Sequence, residues 1–69
     1  MPLTLAKTGE TAVILRISGK DEVRQHLAEL GFVPGENVTV ITELGGNMIL
    51  SVKNCRVALD RTLACRIMI

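Results

Sequence analysis

Sixty-nine residues leave room for one domain, 1–69, and a chain this short buries only about 60% of its unfolded surface on folding. The composition is 48% hydrophobic, enough for a core, while a net charge of +1 and a single aromatic residue argue against a binder that neutralises phosphates or stacks bases. The longest apolar run, "AVIL" at 12–15, is far below the roughly 20 residues of a membrane span, and "MPLTLAKTGE" is no targeting signal, so a soluble, cytoplasmic chain is expected.

In chain order, "LAKTGE" (5–10) reads as a turn. "TAVILRI" (11–17) is a continuous β-forming run, the pattern of a strand covered on both faces, and "SGK" ends it. "DEVRQHLAEL" (21–30) is the helix. Val23, Leu27 and Leu30 form its apolar stripe, and Asp21 and Glu22 occupy the first turn, where the helix dipole favours acids. Gly31 is the natural C-terminal cap. Phe32 follows as a plug between the helix end and the sheet. "VPGE" (33–36) then predicts a type II turn, with Pro34 setting its second position and Gly35 accepting the positive φ of its third.

The remainder predicts a β-meander. "ENVTVITE" (36–43) places Val38, Val40 and Thr42 on one face, and "MILSVK" (48–53) does the same for Met48, Leu50 and Val52, with "LGGN" (44–47) turning between them. "KNC" (53–55) is a tight turn in which Asn54 tolerates positive φ best after glycine. "RVAL" (56–59) puts Val57 and Leu59 inward, and "DRTL" (60–63) is a short helical corner. "ACRIMI" (64–69) would direct Cys65, Ile67 and Ile69 inward and Arg66 and Met68 outward. The sum is mostly β: about five short strands, with one α-helix inserted between the first and second, curled into a barrel that hides its edges.

The stretches "PLTLAKTGE", "RQHLAELGFVPGENVTV", "LGG" at 44–46 and "VALDRTLACRIMI" together resemble FeoA, the small cytosolic component of bacterial ferrous iron transport, over essentially the whole length. Arg24, Leu27, Leu30, Gly31, Pro34 and Gly35 fill the positions of its most specific motif. The chain departs from the family's pattern at Ala12 and Asn54, where glycine is frequent. It departs again at Asp60, where an arginine is usual and here follows one position later as Arg61. The resemblance implies an SH3-like barrel. It also implies a partner, the cytosolic part of FeoB, a large membrane protein with an N-terminal GTPase domain. The function implied is that of a non-catalytic interaction module that docks on this transporter and modulates it, meeting the membrane only through it. FeoA-like domains also end some iron- and manganese-dependent repressors. The start and end of this chain favour the stand-alone component.

No catalytic constellation is visible. Ser18 and Ser51 have no histidine and acid in a recognisable motif, and "TGETA" and "LGGN" lack the spacing and lysine of a phosphate loop. The metal-ligand candidates are His26, Cys55 and Cys65, whose spacing matches no zinc pattern. His26 lies near Glu22 and Glu29 on the helix, the ordinary setting of an exposed histidine. Cys65 shares the parity of Ile67 and Ile69, which makes it a small buried residue, and Cys55 beside its turn is expected to be exposed. No cofactor is therefore expected; His26 and Cys55 are the positions at which a divalent transition metal would be sought. The two cysteines are expected to stay thiols.

Partner binding is the stronger expectation. If the inward residues fill the barrel, Val13, Leu15, Ile41, Ile49 and Met68 face outward, and grouped aliphatics of this kind mark interaction sites. The helix face opposite the stripe, carrying Arg24, Gln25 and His26, becomes a second docking surface held by the elbow at 31–36. Charge is uneven: residues 51–69 hold four Lys/Arg against one acid, and residues 1–50 hold four against six. Self-association into a homodimer is a further use of such surfaces. A different class is also open, because "LAELGFVPGENVTV" is similar to the helix, loop and strand of swapped-hairpin regulators and antitoxins, which dimerise on DNA. Against it stand the low net charge, the lack of a basic cluster on the first strand, and a C-terminal meander with no place in that motif.

Overall fold

From residue 37 onward, alternation of apolar and polar side chains produces three antiparallel strands. They are β3 (Asn37–Leu44), β4 (Asn47–Val52) and β5 (Cys55–Asp60) in the computed structural model, which describes residues Met1–Ile69. Val38 lies opposite Val52, Val40 opposite Leu50, and Met48 opposite Leu59, and all six are buried on one face. The earlier strands are β1 (Thr11–Val13) and β2 (Arg16–Ile17). β1 pairs with the free side of β3, giving a four-stranded sheet in the order β1-β3-β4-β5. Both hairpins turn on two residues of positive φ: Gly45 and Gly46 (+54° and +85°), then Lys53 and Asn54 (+50° and +65°). Two left-handed residues in succession give the turn whose twist matches that of the flanking strands.

The run 11–17 is not one continuous strand, nor is it covered on both faces, for Val13 and Leu15 are exposed. It breaks at Ile14–Leu15 because the backbone changes partner there. β1 bonds to β3, whereas β2 bonds to β6 (Ile67–Met68) in a separate two-stranded sheet. Between them the buried Ile14 donates its N–H to the Glu36 carbonyl (2.9 Å) and accepts from the Gly35 N–H (2.8 Å). Counted as one bent strand, β1–β2 restores the five strands expected, with α1 (Asp21–Glu29) inserted between it and β3. The chain ends close the other side: Pro2 bridges Met68, and the Ile69 N–H donates to the Met1 carbonyl (2.8 Å).

Two parity expectations fail for identifiable reasons. The β3–β4 register slips between Val40 and Thr42, so Thr42 pairs with the outward Ile49 and leaves the face of Val38 and Val40. In the last segment Ile67 is buried as expected, but Ala64 rather than Cys65 is buried with it. The corner predicted at 60–63 is a short helix, α2 (Arg61–Ala64), and helical residues turn by about 100° rather than alternate, so parity cannot be counted back through it. Cys65 ends α2 half-buried, with its thiol donating to the Thr62 carbonyl (3.1 Å). Asp60, the departure from the arginine usual in the family, accepts the Leu63 N–H (2.9 Å) and so caps α2. Arg61 instead pairs with Glu43 of β3.

The core holds twelve buried residues, among them Phe32 and Leu27. It also includes Leu3, in a 3-10 turn at Leu3–Leu5 that periodicity does not reveal. No helix is long and apolar enough to cross a membrane.

Candidate docking site

The elbow after α1 explains how the site is held. Glu29 ends α1 and Leu30 is its C-cap. Gly31 then donates its N–H to the Ala28 carbonyl (3.0 Å), and Phe32 donates to the Leu27 carbonyl (2.9 Å). These are the two reversed bonds of a Schellman motif, which needs a left-handed residue at its centre. Gly31 supplies it at φ +106°. The reversal drives Phe32 into the core beside Leu27. Next, Glu36 donates its N–H to the Val33 carbonyl (3.1 Å) with Gly35 at φ +90°, closing the type II turn. Since Gly35 and Glu36 also bond to Ile14, the elbow is stitched to the helix on one side and to the bend of the first strand on the other.

A groove of about 520 Å³ opens along this seam. Asp21, Arg24, Gln25 and Ala28 of α1 form one wall. Arg16 and Ile17 of β2 form another, and Phe32, Val33 and Pro34 complete it from the elbow. Its exposed lining is mostly apolar. Among its lining residues Arg24 forms an ion pair with Asp21 one helical turn away, while Arg16 is exposed and has no ion-pair partner.

Of the residues proposed from sequence for docking, Arg24 and Gln25 lie in this groove, and His26 is exposed on α1 outside it. The outward aliphatics do not make one surface. Leu15 adjoins Met68, donating its N–H to the Met68 carbonyl. Ile49 lies beside Ile41 and Thr42 on the outer face of the large sheet. Val13 pairs with Asn37, five residues along β3 from the partner of Ile49, or roughly 16 Å away. Ile41, Ile49 and Met68 are moreover half-buried. Exposed Met1, Leu5 and Leu44 went unnoticed because ends and turns carry no alternation to read.

The groove residues missed from sequence are Arg16, Ile17, Asp21, Ala28 and Val33. One signal was present: Arg16 is the single charge within "TAVILRI". The metal candidates stay apart. His26 is on α1, Cys55 is exposed at the start of β5, and nowhere do three His, Cys, Asp or Glu side chains gather closely enough to hold an ion. Ser18 donates its hydroxyl to the Arg66 carbonyl (3.2 Å).

The family model of the FeoA domain matches residues 1–69. The chain belongs to the FeoA family. Among its relatives, a Methanocaldococcus jannaschii protein assigned as Fe(2+) transport protein A is 34% identical over 68 residues, covering 99% of this chain and 83% of that one. A Porphyromonas gingivalis fusion of Fe(2+) transport protein A with the Fe(2+) transporter FeoB is 42% identical over 41 residues, 59% of this chain and 5% of the fusion. A solved FeoA, described as an iron uptake regulatory protein, superposes with a TM-score of 0.91 at 30% identity, covering 99% of this chain and 92% of that one. The FeoA of Stenotrophomonas maltophilia, solved with zinc, gives 0.85 at 30% identity, covering 99% and 87%. That protein is described as a prokaryotic SH3 domain protein and a candidate activating factor of ferrous iron transport. The FeoA fold here is thus a mostly β, SH3-like barrel. A manganese-dependent transcriptional repressor shares this fold at 21% identity, with a TM-score of 0.87. The family match over residues 1–69, with β3 paired to both β1 and β4, favours the FeoA reading over the swapped-hairpin alternative.

Proposed function

We propose that this FeoA-family chain is a cytosolic, non-catalytic accessory of ferrous iron transport that docks on the cytosolic part of a FeoB-like membrane GTPase and modulates it. The observation that carries this reading is the groove between α1, β2 and the elbow, an apolar cleft whose walls are fixed by backbone hydrogen bonds. Its volume falls within the roughly 300–1,000 Å³ of ligand clefts. The fusion of a relative with FeoB in a single chain supports the choice of partner, because fusion keeps two proteins together.

Titration of the isotope-labelled protein with the soluble GTPase domain of the matching FeoB tests the reading, with and without a GTP analogue. Amide shifts concentrated at Arg16, Arg24, Gln25 and Val33 are expected. An unchanged spectrum in every nucleotide state would remove this partner surface from the reading.

A further inference from the structure

The charge on the groove narrows what can occupy it. Arg24 and Asp21 neutralise each other, which leaves the Arg16 guanidinium as one surplus positive charge beside an apolar floor. Arg16 is not on a loop. Its backbone is registered opposite Met68 in the β2–β6 pair, so its Cα is fixed relative to the groove. Ile17, Ala28, Val33 and Pro34 offer no hydrogen-bonding side chain, so an occupant must bring apolar surface to them. A basic occupant would set like charge against Arg16, and a neutral one would gain nothing from it. An acidic group next to an apolar anchor satisfies both parts of the site.

We infer, on the docking reading above, that the groove takes a partner peptide segment in which an Asp or Glu adjoins an apolar anchor residue, with the carboxylate pairing to Arg16 and the anchor resting on the floor beside Phe32. The pair is exposed, so it acts on selectivity and salt dependence while the floor supplies most of the binding.

Two capped synthetic peptides test this against the full-length labelled protein: a leucine pair followed by two aspartates, and the same pair followed by two lysines. The aspartate peptide should shift the amides of Ile17, Ala28 and Val33 and bind about fivefold more tightly than the lysine peptide. The preference should collapse near 1 M salt, where the Debye length is about 3 Å. Arg16→Gln should abolish the preference and Arg16→Glu should reverse it, while Arg56→Glu, on β5 outside the groove, should leave it intact. Equal affinity for the two peptides, no binding of either, or a preference that survives Arg16→Gln would overturn the inference. The GTPase-domain titration separates the two readings. Groove shifts that are insensitive to Arg16→Glu keep the docking surface and refute its acidic selectivity. A selective aspartate peptide with no response to the GTPase domain keeps the groove chemistry and refutes the named partner.

Discussion

Gly31 is constrained by its backbone. Its φ of +106° lies where an L side chain is strained, and a Cβ there would sit 3.5 Å from Val52 Cγ1. Gly31→Val should therefore lose about 1–2 kcal/mol or more, because it forces a β-branched residue into the left-handed region. Urea unfolding followed by circular dichroism reads this directly, and an unchanged midpoint would refute the capping argument. The second hairpin shows the opposite opportunity. Lys53 and Asn54 both hold positive φ, and nothing about lysine announces that conformation. It arises because β4 and β5 pair in a register that leaves only two residues to turn. Replacing the pair with Asn-Gly, the favoured choice for this turn, should raise stability by about 0.5–1 kcal/mol. The expected signature is a higher urea midpoint at an unchanged slope. Asn54 was legible from its own chemistry, whereas Lys53 was legible only from the pairing around it.

Elements here are short, and their ends matter more than their middles. α2 is four residues long and hangs on one cap, the Asp60 carboxylate accepting the Leu63 N–H. Asp60→Ala should cost about 1 kcal/mol, while Asp60→Ser, which keeps an acceptor, should cost much less. In a domain of this size that loss lowers the melting temperature by about 4–8 °C. Equal melting of the two variants would deny the cap. α1 has nine residues and only Leu27 fully buried, so in isolation it would be marginal. Its direction comes from the reversed bonds at Gly31 and Phe32, which are readable in "LGF" as a glycine stop followed by the one aromatic residue. The face we propose for docking was half legible. Arg24 and Gln25 follow from helical spacing, but the groove they border needs Arg16 and Ile17, seven to nine residues upstream in a strand whose orientation periodicity misjudged.

For the whole molecule, closure is the decisive event. β6 is two residues long, yet it pairs with β2, supplies Ile67 to the core and lies against the chain start through the Pro2–Met68 bridge. Removing Ile67–Ile69 should abolish cooperative thermal unfolding, since the core has only twelve members and β2 would lose its sole strand partner. A truncated protein that melts cooperatively would show that the four-stranded sheet and α1 stand without closure. The groove depends on the same event, because β2 forms one of its walls only while β6 holds it.

Local chemistry alone determined the meander from residue 37, the first hairpin turn, the helix and its stop, and the type II turn at Val33–Glu36. Each of these depends on neighbours a few residues away, through alternation, helical spacing or a glycine that accepts positive φ. The tertiary structure decided where "TAVILRI" bends, how the outward aliphatics divide, and that Arg16 lines one groove with Arg24. Those outcomes rest on hydrogen bonds between residues 20 to more than 50 positions apart, such as Ile14 with Gly35 and Arg16 with Met68. No local pattern encodes which distant backbone a bending strand will meet, so the barrel's elements could be read from the chain while the cleft between them could not.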